Sequence, residues 1–193
     1  MSKVQLAGNA SGTGIFTIAS PNSNTDRTLT LPDNTGTLLT SGSPIVRSQM
    51  YVGAVLQTVT ATANTPISIA STSFTAIGLS ATITPTSASS RILIMVSYPW
   101  NSDSPGTNRI MAGARIMRDS TAIQTQNTGT LGTEAGNTTS QSYRWRYTNV
   151  LVDTPASTSA ITYSVQASGE GTYSIAYFQS GVPGWIILQE IAT

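Results

Sequence analysis

Histidine and cysteine are absent from this 193-residue chain, and lysine occurs once, at Lys3. Without imidazole there is no Ser-His-Asp triad and no histidine-ligated zinc. Without a thiol there is no disulfide framework, no thiolate metal site and no cysteine nucleophile, and the chain suits assembly in a reducing cytoplasm. The lone lysine completes no phosphate-cradling Gly-x-x-x-x-Gly-Lys motif, and no Gly-x-Ser-x-Gly elbow is present. Charge is scarce too: 9% of residues are Asp, Glu, Lys or Arg, with a net charge of +1, against about 25% charged residues in an ordinary domain. So weak a field gathers neither polyanions nor anionic lipid, which excludes nucleic acid and membrane as expected partners. No run is long and apolar enough to span a bilayer, and Met1 to Leu6 lacks the apolar stretch of a secretory signal. An extracellular working place is therefore expected to be reached by cell lysis.

What remains is a neutral, hydroxyl-rich chain in which Thr and Ser are the commonest residues. Thr, Val and Ile fit the β-pleat, whereas the helix formers Glu, Lys and Leu are few, so the fold class expected is all-β. The pattern divides near Ser48. In residues 1–47, Arg27-Thr28-Leu29-Thr30-Leu31 alternates with period two and Pro32-Asp33-Asn34-Thr35-Gly36 is a turn signal. So short a segment cannot bury a private core. The economical solution is an intertwined trimeric β-stem, each chain giving Leu29, Leu31, Leu38 and Leu39 to one axial core. Ser41-Gly42-Ser43-Pro44 reads as a linker.

Residues 48–193 read as a head. Ser48 to Ser90 carries no charge and alternates hydroxyl and small residues with Val and Ile, a composition expected inside a sheet or a subunit interface. Strands are predicted at Gly53–Thr62, Ile67–Ile69, Thr75–Ile83, Ile92–Tyr98, Arg109–Arg118, Ala122–Gln126, Tyr143–Asp153, Ile161–Ala167, Tyr173–Phe178 and Trp185–Ile191. Short strands separated by loops rich in Gly, Pro, Asn and Ser indicate an antiparallel β-sandwich of jelly-roll type. No repeat suggests a solenoid.

Few residues carry chemistry. Asp103, Asp119, Glu134, Asp153 and Glu170 are the carboxylates a glycan hydrolase would need in pairs, but Asp119 and Asp153 fall at strand ends, where Asp favours turns, and the others in expected loops. No enzyme and no cofactor is expected. Asn22-Ser23-Asn24-Thr25-Asp26 resembles the first half of a calcium loop but lacks its glycine and distal glutamate, so it reads as a polar turn rather than a metal site. In Tyr143-Arg144-Trp145-Arg146-Tyr147 the period-two aromatics are expected in the core and the arginines in solvent. Two long loops are expected, Pro99 to Asn108 and Gln126 to Gln141. Because recognition residues favour loops on rigid scaffolds, Tyr98, Trp100 and Asp103 are the candidate glycan contacts, strengthened by threefold multivalency. Tyr173, Tyr177 and Phe178 beside Ser180–Gly184 form a third cluster.

Gly14-Ile15-Phe16-Thr17-Ile18, followed by Arg27 through Thr40, resembles a strand-turn-strand segment near the stem of many bacteriophage fibre proteins. The later runs Ser90–Ile94, Arg115–Thr121 and Val152–Tyr163 resemble the terminal domain of small phage fibres. The resemblance implies a homotrimeric virion protein with a stem or anchor and a β-sandwich head; from that architecture, a place on the virion exterior, other virion proteins as partners of the N-terminal segment and a bacterial surface glycan as partner of the head are expected. The alternative is a decoration or connector protein of capsid, collar or baseplate that binds no receptor.

Overall fold

Wherever apolar residues alternate with hydroxyl or small residues after Gly53, a strand forms. Thr75–Ile83 shows the rule: Ile77, Leu79, Ala81 and Ile83 point inward and are buried, while Ala76, Gly78, Ser80 and Thr82 are exposed. The structure, a computed structural model, describes residues 11–15, 17, 22–26, 28, 50–104, 109–134, 141–169, 174–178 and 181–193; for 103, 104, 109, 110, 127–134 and 141–143 it describes the backbone alone. The chain divides into two compact units, Met1–Gly42 and Ser43–Thr193. Leu29, Leu31, Leu38 and Leu39 lie outside the described residues, as does the linker at 41–44.

The second unit contains β1 (Val55–Ala63), β2 (Ile67–Ile69), β3 (Thr75–Ile83), β4 (Arg91–Ser104), β5 (Arg109–Arg118), β6 (Thr121–Glu134), β7 (Gln141–Asp153), β8 (Ile161–Ser168), β9 (Ile175–Tyr177) and β10 (Gly184–Ile191). The described residues contain no α-helix. All ladders are antiparallel. In sheet A, β10 pairs with β4 up to Trp185↔Ser97 and β9 resumes at Tyr177↔Trp100, so β10 and β9 share one row; β1 and β2 share the next through Ala63↔Gly184 and Ile67↔Tyr177. The rows run β1/β2, β10/β9, β4, β7, and sheet B runs β3, β8, β5, β6. This alternation between two sheets is the strand order of a jelly roll.

Two expected loops prove to be largely strand. β4 continues through Pro99 to Ser104 because β7 pairs with it from Ile92↔Asp153 to Ser104↔Gln141. β6 likewise runs to Glu134 opposite Arg109. A continuous ladder outweighs the local turn preference of Pro99, Asn101 and Asp103. Pro99 fits because its carbonyl accepts the Phe178 N–H at 3.3 Å, on the β9 side. Its missing donor therefore faces the break between β9 and β10 and removes no bond to β7. β1 and β3, from the uncharged stretch, lie at sheet edges.

One core spans both sheets. β4 contributes Ile92, Ile94 and Val96, β10 contributes Ile186 and Leu188, and β8 contributes Ile161, Tyr163 and Val165. Each such side chain contributes about 1.5–3 kcal/mol through burial. Polar ties fasten the edge beside β7. Arg118 Nη1 on β5 donates to both oxygens of Asp153 on β7 at 3.0 Å, and Tyr163 Oη donates to the same carboxylate at 2.7 Å. Asp119 occupies the hairpin turn with φ of 50° and accepts the Thr162 N–H at 2.9 Å.

Candidate interaction face

The inside of the sandwich holds the aromatics that the sequence placed on loops. Tyr98 and Trp100 are 1% and 5% exposed, a correction to their expected loop position: both point inward from β4, where no sugar reaches their faces. Trp100 stacks on Trp145 at 4.6 Å, and Tyr98 lies 5.0 Å from Tyr147, 5.9 Å from Tyr177 and 6.3 Å from Phe178. Asp103 stands on β4 opposite Ser142, with its side chain outside the described residues. Tyr177 and Phe178 are buried in the same cluster, while Tyr173 lies outside the described residues. Trp145 and Tyr147 turn inward and Arg144 and Arg146 outward, the arrangement expected from period two.

Burial pushes the phenols of Tyr98, Tyr177 and Tyr163 up, so they remain protonated at neutral pH; Tyr98 also feels its neighbours Tyr177 and Tyr147. The Tyr98 Oη is buried without a hydrogen-bond partner. A buried hydroxyl that makes no bond costs about 1–3 kcal/mol in desolvation. Tyr98→Phe is therefore expected to raise stability, by about 1 kcal/mol, measured as a higher urea midpoint at unchanged slope.

Asp119 and Asp153, the candidate carboxylates whose side chains are described, both serve structural contacts. Asp153 is engaged by Arg118 and Tyr163, and Asp119 caps the start of β8. The Glu134 side chain and Glu170 lie outside the described residues. No group of three or more acidic, His or Cys side chains among the described residues could hold a metal. Residues 22–26 are exposed, and the Thr25 N–H donates to Ser23 Oγ at 3.1 Å in a local polar turn. Glu190 is the carboxylate that sequence reading missed. It points inward from β10, and its signal was the alternation Ile186, Leu188, Glu190 against Trp185, Ile187, Gln189.

Glu190 is fully buried yet ionised. One carboxylate oxygen accepts the Thr86 N–H at 2.8 Å, the Thr86 hydroxyl at 2.7 Å and the Ser90 hydroxyl at 2.5 Å; the other accepts Gln57 Nε2 at 2.7 Å. Burial alone would raise its pKa, but the bonds from Ser90, Gln57 and Thr86 together outweigh that and hold the carboxyl below the usual range.

The outer surfaces of the two sheets differ. Sheet B presents Ser80 and Thr82 from β3 and Thr162, Ser164 and Gln166 from β8, with Arg115 between Met111 and Met117 on β5. Thr82 and Thr162 hydroxyls lie 2.8 Å apart, and Arg115 Nε donates to Gln166 at 3.1 Å. Sheet A turns Leu93 and Met95 of β4, Trp185, Ile187 and Ile191 of β10, and Val150 and Val152 of β7 outward. Cross-strand register gathers them: Leu93 sits between Gln189 and Val152, and Met95 between Ile187 and Val150. Val150 and Val152 are 57% and 55% exposed. No large hydrophobic side chain of sheet B is exposed among the described residues, whereas Val55, Val150 and Val152 lie in sheet A and Tyr51 and Val52 in the turn leading into it. Arg146 closes one end, donating from Nη1 to Ser97 Oγ at 2.9 Å and from Nη2 to the Pro183 carbonyl at 3.2 Å.

An antiparallel sheet with one face in water alternates apolar and polar residues. In sheet A, β4 (Ile92-Leu-Ile-Met-Val) and β10 (Trp185-Ile-Ile-Leu) read as continuous apolar runs, the pattern of strands covered on both sides. At strand spacings of about 4.8 Å and residue rises of about 3.4 Å, four rows by six residues make a face of roughly 400 Å², apolar over β10, β4 and β7 and lined along β1 by the exposed Thr58, Thr60 and Thr62. The largest apolar patch on an ordinary monomer is about 300–600 Å² and is often functional.

No known protein family is matched by this sequence, and no curated protein matches it. Among solved structures, the VP2 subviral particle of infectious bursal disease virus aligns at a TM-score of 0.36 and 15% identity, over 72% of this chain and 39% of that one. T=1 particles derived from infectious bursal virus align at 0.33 and 15% identity, over 72% and 37%. The Gt strain of infectious bursal disease virus aligns at 0.30 and 16% identity, over 72% and 39%. The chain thus spans about two fifths of the length of each.

Proposed function

We propose that this chain is a non-enzymatic structural subunit of a bacteriophage virion, a small homotrimeric fibre whose residues 1–47 form the stem and whose sandwich faces outward and contributes to host attachment. The observation that carries this reading is the contrast between the outer faces: a chain with almost no charge has one sheet face apolar over β10, β4 and β7 and one rich in hydroxyls. Such a subunit is built to assemble on one side and to meet water on the other. The stem reading is supported by the period-two leucines at 29 and 31 and by the resemblance of the first 45 residues to phage fibre stems. Attachment is supported by architecture alone, a rigid scaffold repeated three times.

The test is location. An antibody against residues 48–193 is expected to decorate thin projections on intact particles in electron micrographs and to slow adsorption to host cells. Labelling over a shell lattice or collar with unchanged adsorption would instead select the decoration or connector role. Particles that carry no label at all would defeat the virion assignment.

A further inference from the structure

We infer that the outer face of sheet A is where a second copy of this chain docks, so that the heads contact each other as well as the stems; this rests on the homotrimeric reading above and names the partner of the apolar face. The middle of the face, Leu93, Met95, Ile187, Val150 and Val152, carries no charge. A neighbouring copy can therefore lie against it without burying an ion of this face, while Arg91 and Arg146 lie at its ends, where charge stays hydrated. Area agrees. Cover of this face by part of a neighbouring head takes roughly 400 Å² from each partner, about 800 Å² in all, and the exposed Tyr51 and Val52 bring this near the roughly 1,000 Å² a specific interface requires.

Continuity singles out a second copy among the possible occupants. The face extends to Val55 beside Ile191, next to the turn at 51–54. That turn is fixed to the C-terminal strand: the Gly53 N–H donates to the Ala192 carbonyl and the Ala192 N–H to the Ala54 carbonyl, both at 2.8 Å. Tyr51 and Val52, 90% and 79% exposed, are thus held at the point where the chain passes from the stem segment into the head. Three chains joined by their first 47 residues bring three copies of this point together.

Because the chain has no cysteine, a single introduced thiol reports on one position. Full-length Val150→Cys and Ser80→Cys place thiols on the outer faces of sheets A and B, at two exposed positions. Their reaction rates with a bulky maleimide are compared, alongside mass by light scattering. The expected result is a multimer in which the thiol at 150 reacts on the order of tenfold more slowly than that at 80. A multimer with equal rates overturns the head contact and leaves the homotrimeric reading standing. A monomer with a slow thiol at 150 overturns it in favour of cover by the same chain. A monomer with equal rates defeats both readings.

Discussion

Glu190→Ala is expected to lower the unfolding free energy by about 1–3 kcal/mol, the range for leaving buried hydrogen-bonding groups without their partner. The carboxylate is fully buried and accepts four hydrogen bonds from Gln57, Thr86 and Ser90. Alanine removes the acceptor and leaves donors from β1 and from the segment between β3 and β4 turned toward an apolar methyl. Those donors join the two sheets at one end of the sandwich, so the loss reaches beyond one strand. Urea unfolding checks the magnitude. A change below about 1 kcal/mol would mean that these groups find other partners as easily.

The same site gives the head an acid limit. A carboxyl whose folded pKa lies below its unfolded value adds stability that is fully present above the unfolded value, near 4.5, and is lost as pH falls through the folded one. Glu190→Gln separates the two contributions. The amide keeps the shape and one acceptor oxygen but turns an N–H₂ group toward Gln57 Nε2, so part of the stability goes and the acid dependence of this site goes with it. In unfolding curves from pH 7 to pH 3, the parent is expected to converge on the glutamine variant as the carboxyl protonates.

Strand positions were legible because the period-two pattern of β3 and β8 has one apolar face and one polar face. Their lengths were less so. Pro99, Asn101 and Asp103 carry turn preferences that a residue-by-residue reading weighs locally, whereas the β4–β7 ladder is set by residues some 40–50 positions away and overrides them. That misreading put Tyr98 and Trp100 on a surface they do not reach. The apolar face of sheet A was present in the sequence as the runs Ile92–Val96 and Trp185–Leu188, but such a run records burial on both sides without saying what covers the second. The uncharged stretch before Ser90 does hold exposed apolar side chains, Tyr51, Val52 and Val55, but Val150 and Val152 of β7 lie outside it.

Gly184→Ala is expected to cost about 3 kcal/mol or more, at the upper end for an added methyl in a packed interior. Gly184 begins β10 beside the break with β9, where the aromatic cluster closes against the sheet. A methyl there would lie 2.8 Å from the Tyr98 Cβ and closer still to the Phe178 Cε1, and both rings are 1% exposed or less. Neither can yield cheaply: Tyr98 is pinned among Tyr147, Tyr177 and Phe178, and Phe178 holds a left-handed backbone with φ of 59°, a conformation a bulky residue keeps only under strong packing. Backbone freedom is not the reason for this glycine, since its φ lies outside the left-handed region. Gly78→Ala supplies the contrast. It has open space around the new methyl but a φ of 78°, so its cost is conformational, about 1 kcal/mol. A double-mutant cycle then isolates the steric origin at 184: Phe178→Leu should offset part of the Gly184→Ala loss, giving a coupling of about 1 kcal/mol or more, and leave the Gly78→Ala loss unchanged. Strict additivity of Gly184→Ala with Phe178→Leu would place the clash elsewhere.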